Sequence, residues 1–248
     1  MIRAMIFDMD GVLVATEKLK ALSYARAASK MSPSTVEEEV IESYKEVVGT
    51  EREEMAKALF RKFDLEEAAK PRMAEFGVSA PWQAFLQMRL RIYEAIVSDP
   101  EVLRQSRIPY NISLLDEARR YGCSMALVTM SRKDAVQRVL EAIDLKDAFE
   151  VVVTREDVKK GKPDPEIYKL AIKNLGAHPA ECLVIEDSAA GVNAALASGA
   201  WCIAVPTPFT RDILHAEHLI EYRWIVDDPN NLVQVVRRMF EERRQELT

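Results

Sequence analysis

The stretch AMIFDMDGVLV, residues 4–14, carries four apolar residues straight into Asp8 and Asp10, two carboxylates two positions apart, and then into Gly11. An apolar run without alternation suits a strand buried on both faces. Similar runs recur at SMALVT (124–129), FEVVVT (149–154), CLVIED (182–187) and WCIAVP (201–206), with a weaker one at RWIVDD (223–228). Between them the spacing predicts helices over 111–121, 132–143, 164–175 and 188–198, and a last one from about 230. Gly122, Gly176 and Gly199 each follow a helical stretch and lead toward a strand, where a left-handed C-cap is expected. Strands alternating with helices imply an α/β chain with a doubly wound parallel sheet, Rossmann-like and covered on both faces.

Residues 16–101 break this rhythm. They hold no convincing strand, and helical periodicity runs through STVEEEVIESYKEVV, EREEMAKALFRKF and PWQAFLQMRLRIYEAIVS. The expected organisation is therefore a core of residues 1–15 and 102–248, interrupted after its first strand by an all-helical cap domain at 16–101. The two prolines of SDPEVLRQSRIPYN mark the return to the core.

Composition narrows the function. The 248 residues are 48% hydrophobic and 30% charged with a net charge of −6, which leaves no basic stripe for a nucleic-acid backbone. The Lys/Arg-rich end RRMFEERRQELT interleaves both signs at helical spacing and reads as a solvated helix. Cys123, Cys182 and Cys202 lack CxxC spacing and enter apolar runs, as buried free thiols do. No apolar stretch approaches the ~20 residues of a membrane span, and the first residues do not form a signal peptide. A monomeric, cytoplasmic protein is expected, with neither nucleic acid nor membrane as partner.

In an open parallel sheet, ligands bind beyond the carboxyl ends of the strands. Polar groups collect at those ends: Asp8 and Asp10 after the first run, Thr129 and Ser131 after the second, Glu186 and Asp187 in CLVIED, and Lys162 in the loop KKGKPDP. Acids gathered in one crevice repel one another and acquire raised pKa values unless a cation neutralises them. Mg²⁺ suits a site of few carboxylates with water and phosphate, while a hydroxyl and an ammonium hold the remaining phosphate oxygens. Asp8 could then attack phosphorus and Asp10, freed by the turn at Gly11, could manage protons. Taken singly, each residue has a plainer use: Thr129 or Ser131 could cap the helix near Arg132, and Ser188 could cap the next one.

The ordered series DMDGVLV, LVTMS, GKPDP and VIEDSAAG resembles the four motifs of the haloacid dehalogenase superfamily. More narrowly, it is similar to the branch of phosphoglycolate phosphatase-like and β-phosphoglucomutase-like enzymes with a helical cap after the first motif. The resemblance covers nearly the whole core and is weak over the cap. It implies that Asp8 is nucleophile and Mg²⁺ ligand, and that Asp10 is general acid/base and lends its backbone carbonyl to the metal. It further implies that the Thr129 hydroxyl and the Met130 amide bind the phosphoryl group, that Lys162 neutralises nucleophile and phosphate, and that Glu186 and Asp187 complete the metal site. In the cap, GTEREE resembles a stretch whose arginine reaches the substrate's distal group, pointing to Arg52.

The chain departs from the family pattern at three places. Ala15 replaces the usual acid, Lys20 stands where mutases carry a histidine, and IPYN replaces a proline-glycine turn. The expected activity is a Mg²⁺-dependent phosphatase of a small phosphorylated metabolite acting through an aspartyl phosphate, with a β-phosphoglucomutase-like phosphomutase as the alternative. A dehalogenase has no need of metal or of a second acid at Asp10, and a phosphonate-cleaving relative would lack Asp10.

Overall fold

A computed structural model describes residues 1–48, 50 and 52–245. The chain divides into two compact units, one formed by residues 1–15 with the chain from Leu103 onward, the other by Thr16–Val102.

The first unit is built on strand β1 (Ala4–Asp8), buried along its whole length. β2 (Ser124–Val128) and β4 (Cys182–Glu186) flank it, with β3 (Val151–Val153) and β5 (Trp201–Ala204) outside them. All pairs are parallel, in the order β3-β2-β1-β4-β5. The chain leaves β1 toward β2 and β3 and returns on its other side as β4 and β5. The order therefore reverses beside β1, where α/β sheets open their crevice. Register completes the placement: Asp8 pairs with Val128 and Phe7 with Ile185, so Asp8, Thr129 and Glu186 come to one edge.

Helices α5 (Leu114–Arg120), α6 (Lys133–Ala142), α7 (Glu166–Asn174), α8 (Ala189–Ala197), α9 (Arg211–Glu217) and α10 (Leu232–Gln245) complete this unit. Gly122, Gly176 and Gly199 take φ of 65°, 64° and 87°, the left-handed exits expected of them. Three details differ from the sequence expectation. RWIVDD supplies one bridge, Ile225 to Ala204, because a 3-10 turn at Tyr222–Trp224 occupies its start. The helix expected over 111–121 is divided, Pro109–Ile112 forming a separate turn with its proline at the first helical position. Helix α9 was not expected at all.

The terminal helix is amphipathic rather than solvated all round. Val236, Met239 and Phe240 are buried, Arg237 pairs with Glu117 at 2.9 Å, and the Arg243 guanidinium lies 3.6 Å from the Trp201 ring centroid. The end of RRMFEERRQELT, residues 246–248, lies outside the described residues. All three cysteines are buried and free. Burial pushes the Cys123 thiol up to about 11, which suits packing and not nucleophilic attack. Among the described residues no helix is long and apolar enough to cross a membrane.

The second unit packs α1 (Thr16–Met31), α2 (Glu37–Tyr44), α3 (Arg52–Lys62) and α4 (Pro81–Val97) with short helical turns between. Its core is aromatic: Tyr24 stands 5.7 Å from Tyr44 and 5.8 Å from Phe85, and Phe85 stands 6.1 Å from Phe60. Helix α4 starts sharply because Pro81 opens it and the Gln83 side chain accepts the Ser79 and Ala80 amides.

Candidate active site

Asp8 ends β1, Glu186 ends β4, and Asp187 follows it. One carboxylate oxygen from each lies within 4.8 Å of the others, and all three residues are buried. Burial pushes the Asp8 carboxyl up to about 8; the charges of Glu186 and Asp10 add to the effect and Lys162 opposes it. Lys162 reaches in from the loop after β3 and donates to Asp8 Oδ1 at 2.7 Å and to Glu186 Oε1. Burial works against its ammonium, yet the two carboxylates outweigh that and hold its pKa above the ordinary lysine value. The loop carrying it is tied down where Glu166 accepts the Lys159 and Lys160 amides at 3.1 and 2.8 Å.

Glu186 is saturated by protein donors. Besides Lys162, its Oε1 accepts from the Tyr168 hydroxyl at 2.6 Å, and its Oε2 accepts from the Asp187 and Ser188 amides and the Ser188 hydroxyl. Ser188 also caps α8 by accepting the Gly191 amide at 3.1 Å. Glu186 therefore anchors Lys162 and the β4–α8 turn, and Asp8 and Asp187 are the other two acids of the cluster.

Two glycines make room for these acids. Gly11 has φ 77°, and a Cβ there would overlap the Asp187 carboxylate; a Cβ at Gly191 would overlap the carboxylate of Glu186. Gly191→Ala should consequently displace Glu186, lower stability by about 1–3 kcal/mol, and reduce turnover with it. A thermal midpoint equal to that of the unaltered protein would show that the Glu186 carboxylate is not packed on position 191.

Asp10 lies half-buried in the loop that follows β1. Its Oδ2 accepts from the Thr129 hydroxyl at 3.0 Å and from the Ser131 hydroxyl at 2.7 Å, while Thr129 Oγ1 accepts the Ser131 amide at 3.0 Å. The loop is closed on itself by Gly11 N–H to the Val14 carbonyl and Leu13 N–H to the Met9 carbonyl. It is fastened from outside by Asn111, whose Nδ2 donates to the Val12 carbonyl at 2.8 Å. That contact gives the IPYN turn a use which the sequence did not disclose.

The edge of the sheet thus gathers Asp8, Asp10, Thr129, Lys162, Glu186 and Asp187. Met130 lies beside them, its side chain against Gly161. Arg52 belongs to the helical unit, where it opens α3 as an exposed residue; its neighbours Gly49 and Glu51 in GTEREE lie outside the described residues. Neither Thr129 nor Ser131 caps α6: Arg132 occupies the N-cap without a side-chain bond, because both hydroxyls turn to Asp10. Ser131 as a holder of Asp10 and Tyr168 as a holder of Glu186 were not foreseen. A buried tyrosine needs a partner for its hydroxyl, but periodicity does not say which.

The donor set fits a hard divalent cation. Three buried carboxyl groups face one ammonium, and two negative charges are left over when all are ionised, which such an ion would balance. Burial raises the Asp8 carboxyl, and a bound cation would favour its ionised form.

Comparison with known proteins agrees with this geometry. The family model described as haloacid dehalogenase-like hydrolase matches residues 5–205. By sequence the chain is similar to the phosphorylated carbohydrates phosphatase of Thermotoga maritima, 29% identical over 200 residues, 79% of this chain and 81% of that protein. It is also similar to hexitol phosphatase A of Escherichia coli, 39% identical over 127 residues, 50% of this chain and 58% of that protein. In structure it resembles the β-phosphoglucomutase of Clostridium difficile with a TM-score of 0.67 at 22% identity, covering 100% of this chain and 99% of that one. At that identity the likeness is one of fold.

Proposed function

Because the chain belongs to the haloacid dehalogenase-like hydrolases, we propose that it is a Mg²⁺-dependent phosphatase that hydrolyses a small phosphorylated metabolite, of the phosphorylated-carbohydrate kind, in the cytoplasm and as a monomer. One observation carries this reading: Asp8 lies 2.7 Å from a buried lysine and beside Asp187, while Asp10, two residues on, is held by hydroxyls.

An oxygen of Asp8 attacks phosphorus and the ester P–O bond breaks on the opposite side. Asp10 protonates the departing ester oxygen. It then takes a proton from water as that water attacks the aspartyl phosphate, so the bond to Asp8 breaks and inorganic phosphate leaves. Lys162 neutralises Asp8 and the incoming phosphoryl oxygens. Thr129 has its hydroxyl proton on Asp10 and must turn it to the phosphoryl group, after which Ser131 keeps Asp10 in place. Asp8, Asp187 and the Asp10 carbonyl would hold the cation, with Glu186 supporting through Lys162. When bound, the cation supplies charge neutralisation between nucleophile and phosphoryl oxygens.

Phosphate release from sugar phosphates, nucleotides, phosphoglycolate and cofactor phosphates, measured with and without Mg²⁺, tests the reading. Release from a sugar phosphate that stops in chelator is expected. Isomerised sugar phosphate without free phosphate would transfer the protein to the mutases, and haloacid turnover in chelator would overturn phosphoryl chemistry. Mg²⁺ at a hundred times its Kd should also stabilise the fold by about 2.7 kcal/mol, raising the thermal midpoint by about 5–10 °C. Asp187→Asn should remove most of that rise; an undiminished rise would place the ion elsewhere.

A further inference from the structure

Asp10 is placed from two ends. Its carboxylate accepts the Thr129 and Ser131 hydroxyls, and its backbone belongs to the loop that runs from Met9 to Ala15. The hold on the carboxylate is committed only in part, because Thr129 has to turn its hydroxyl away when a phosphoryl group arrives. Whatever fixes the loop therefore bears on the reaction.

The loop's own bonds, Gly11 N–H to the Val14 carbonyl at 2.8 Å and Leu13 N–H to the Met9 carbonyl at 2.9 Å, give it a shape and leave its position over the sheet open. Position comes from residues 106–111. Ile108 N–H donates to the Leu13 carbonyl at 2.9 Å, Ala15 N–H donates to the Ser106 carbonyl at 2.8 Å, and Val14 bridges antiparallel to Arg107. These backbone bonds take the far half of the loop. The near half, two residues from Asp10, is held by a side chain, Asn111 Nδ2 on the Val12 carbonyl at 2.8 Å.

Asn111 is 4% exposed, and among the described residues nothing else donates to the Val12 carbonyl. Val12 is itself fully buried, so no bulk water stands in for the amide. The arm is stiff as well. Pro109 opens a single helical turn, closed by Ile112 N–H to the Ile108 carbonyl at 3.1 Å and Ser113 N–H to the Pro109 carbonyl at 2.9 Å. That turn begins at Ile108, the residue bonded to Leu13, so Asn111 joins a rigid element to the loop it serves. The amide belongs to IPYN, the turn in which this chain departs from the family pattern.

We infer that Asn111 is a positioning residue for the general acid/base: its amide locks the Val12 end of the loop and keeps the Asp10 carboxyl in line with the leaving oxygen and the attacking water. The inference rests on the phosphatase reading for Asp10. Asp8 is independent of it, since pairing with Val128 in the sheet sets that residue.

Asn111→Leu keeps bulk and loses the donor, and Asn111→Ala loses both. With Mg²⁺ saturating, each should lower kcat on a sugar phosphate about 10-fold to 100-fold, with KM changed less than about twofold. With p-nitrophenyl phosphate, whose leaving oxygen needs no proton, the first step persists and the nitrophenolate burst should exceed that of the unaltered protein. In the Asp10→Asn background Asn111→Leu should cost less than about twofold more, because the group it places is gone. Amide hydrogen exchange of residues 11–14 should quicken about fivefold, the worth of one hydrogen bond, and that of Ala4–Asp8 should not.

Equal losses on both substrates with no added burst, the same loss in the Asp10→Asn background, or exchange quickened equally across Ala4–Asp8 marks Asn111 as a structural strut and overturns the inference. So does full kcat in a folded Asn111→Leu protein. If the unaltered protein releases phosphate from no substrate, the phosphatase reading fails and exchange alone decides whether Asn111 holds the loop: quickening confined to residues 11–14 upholds it, and unchanged exchange removes it.

Discussion

Asp8→Asn lowers phosphate release to background, a loss on the order of 10⁴-fold or more, while the protein still folds. Asparagine keeps the shape of Asp8 and an oxygen to accept from Lys162, which now stands 2.7 Å from Oδ1. It has no anionic oxygen to form the acyl phosphate. The fold should tolerate the change because the substitution removes one charge from a buried cluster already so crowded that Asp8 is pushed up to about 8, chiefly by burial. Circular dichroism and the thermal midpoint, read beside the assay, separate lost chemistry from lost structure. Retained turnover in a folded variant would take the nucleophilic role from Asp8.

Asp10→Asn slows turnover by roughly 10²-fold to 10⁴-fold. An asparagine oxygen can accept the same hydroxyls, Thr129 at 3.0 Å and Ser131 at 2.7 Å, so placement survives and proton transfer does not. The loss should depend on the leaving group. With p-nitrophenyl phosphate the departing oxygen needs no proton, so the first step persists and a burst of nitrophenolate precedes slow turnover. With a sugar phosphate both steps suffer and no burst appears. A loss under tenfold on the sugar phosphate would mean that another group moves the proton.

Much of the core was legible because strand ends are set by apolar runs. AMIFD, SMALV and CLVIE need no partner information to end where they do, and parallel register then brings Asp8, Thr129 and Glu186 to one edge. The contacts made by side chains were less legible, since they depend on what the fold brings within reach. Ser131 had two plausible uses, a helix cap or a polar group in the crevice, and only the nearness of Asp10 decides between them. Tyr168 reads as one more apolar position on α7 until its hydroxyl meets Glu186. Asn111 sits in an unremarkable turn that happens to meet the Val12 carbonyl. RWIVDD failed as a strand because the 3-10 turn before Ile225 leaves it a single bridge. In the helical unit, charge at helical spacing describes a solvated face well and gives no sign that Arg89 is drawn inside.

The central claim is that Asp8 carries the phosphoryl group between substrate and water. Rapid acid quench during turnover of a sugar phosphate, followed by borohydride reduction and peptide mass spectrometry, reads this directly. The account predicts homoserine at position 8, dependent on both substrate and Mg²⁺. Phosphate released at the full rate with position 8 unmodified, or with the label on another residue, would contradict it.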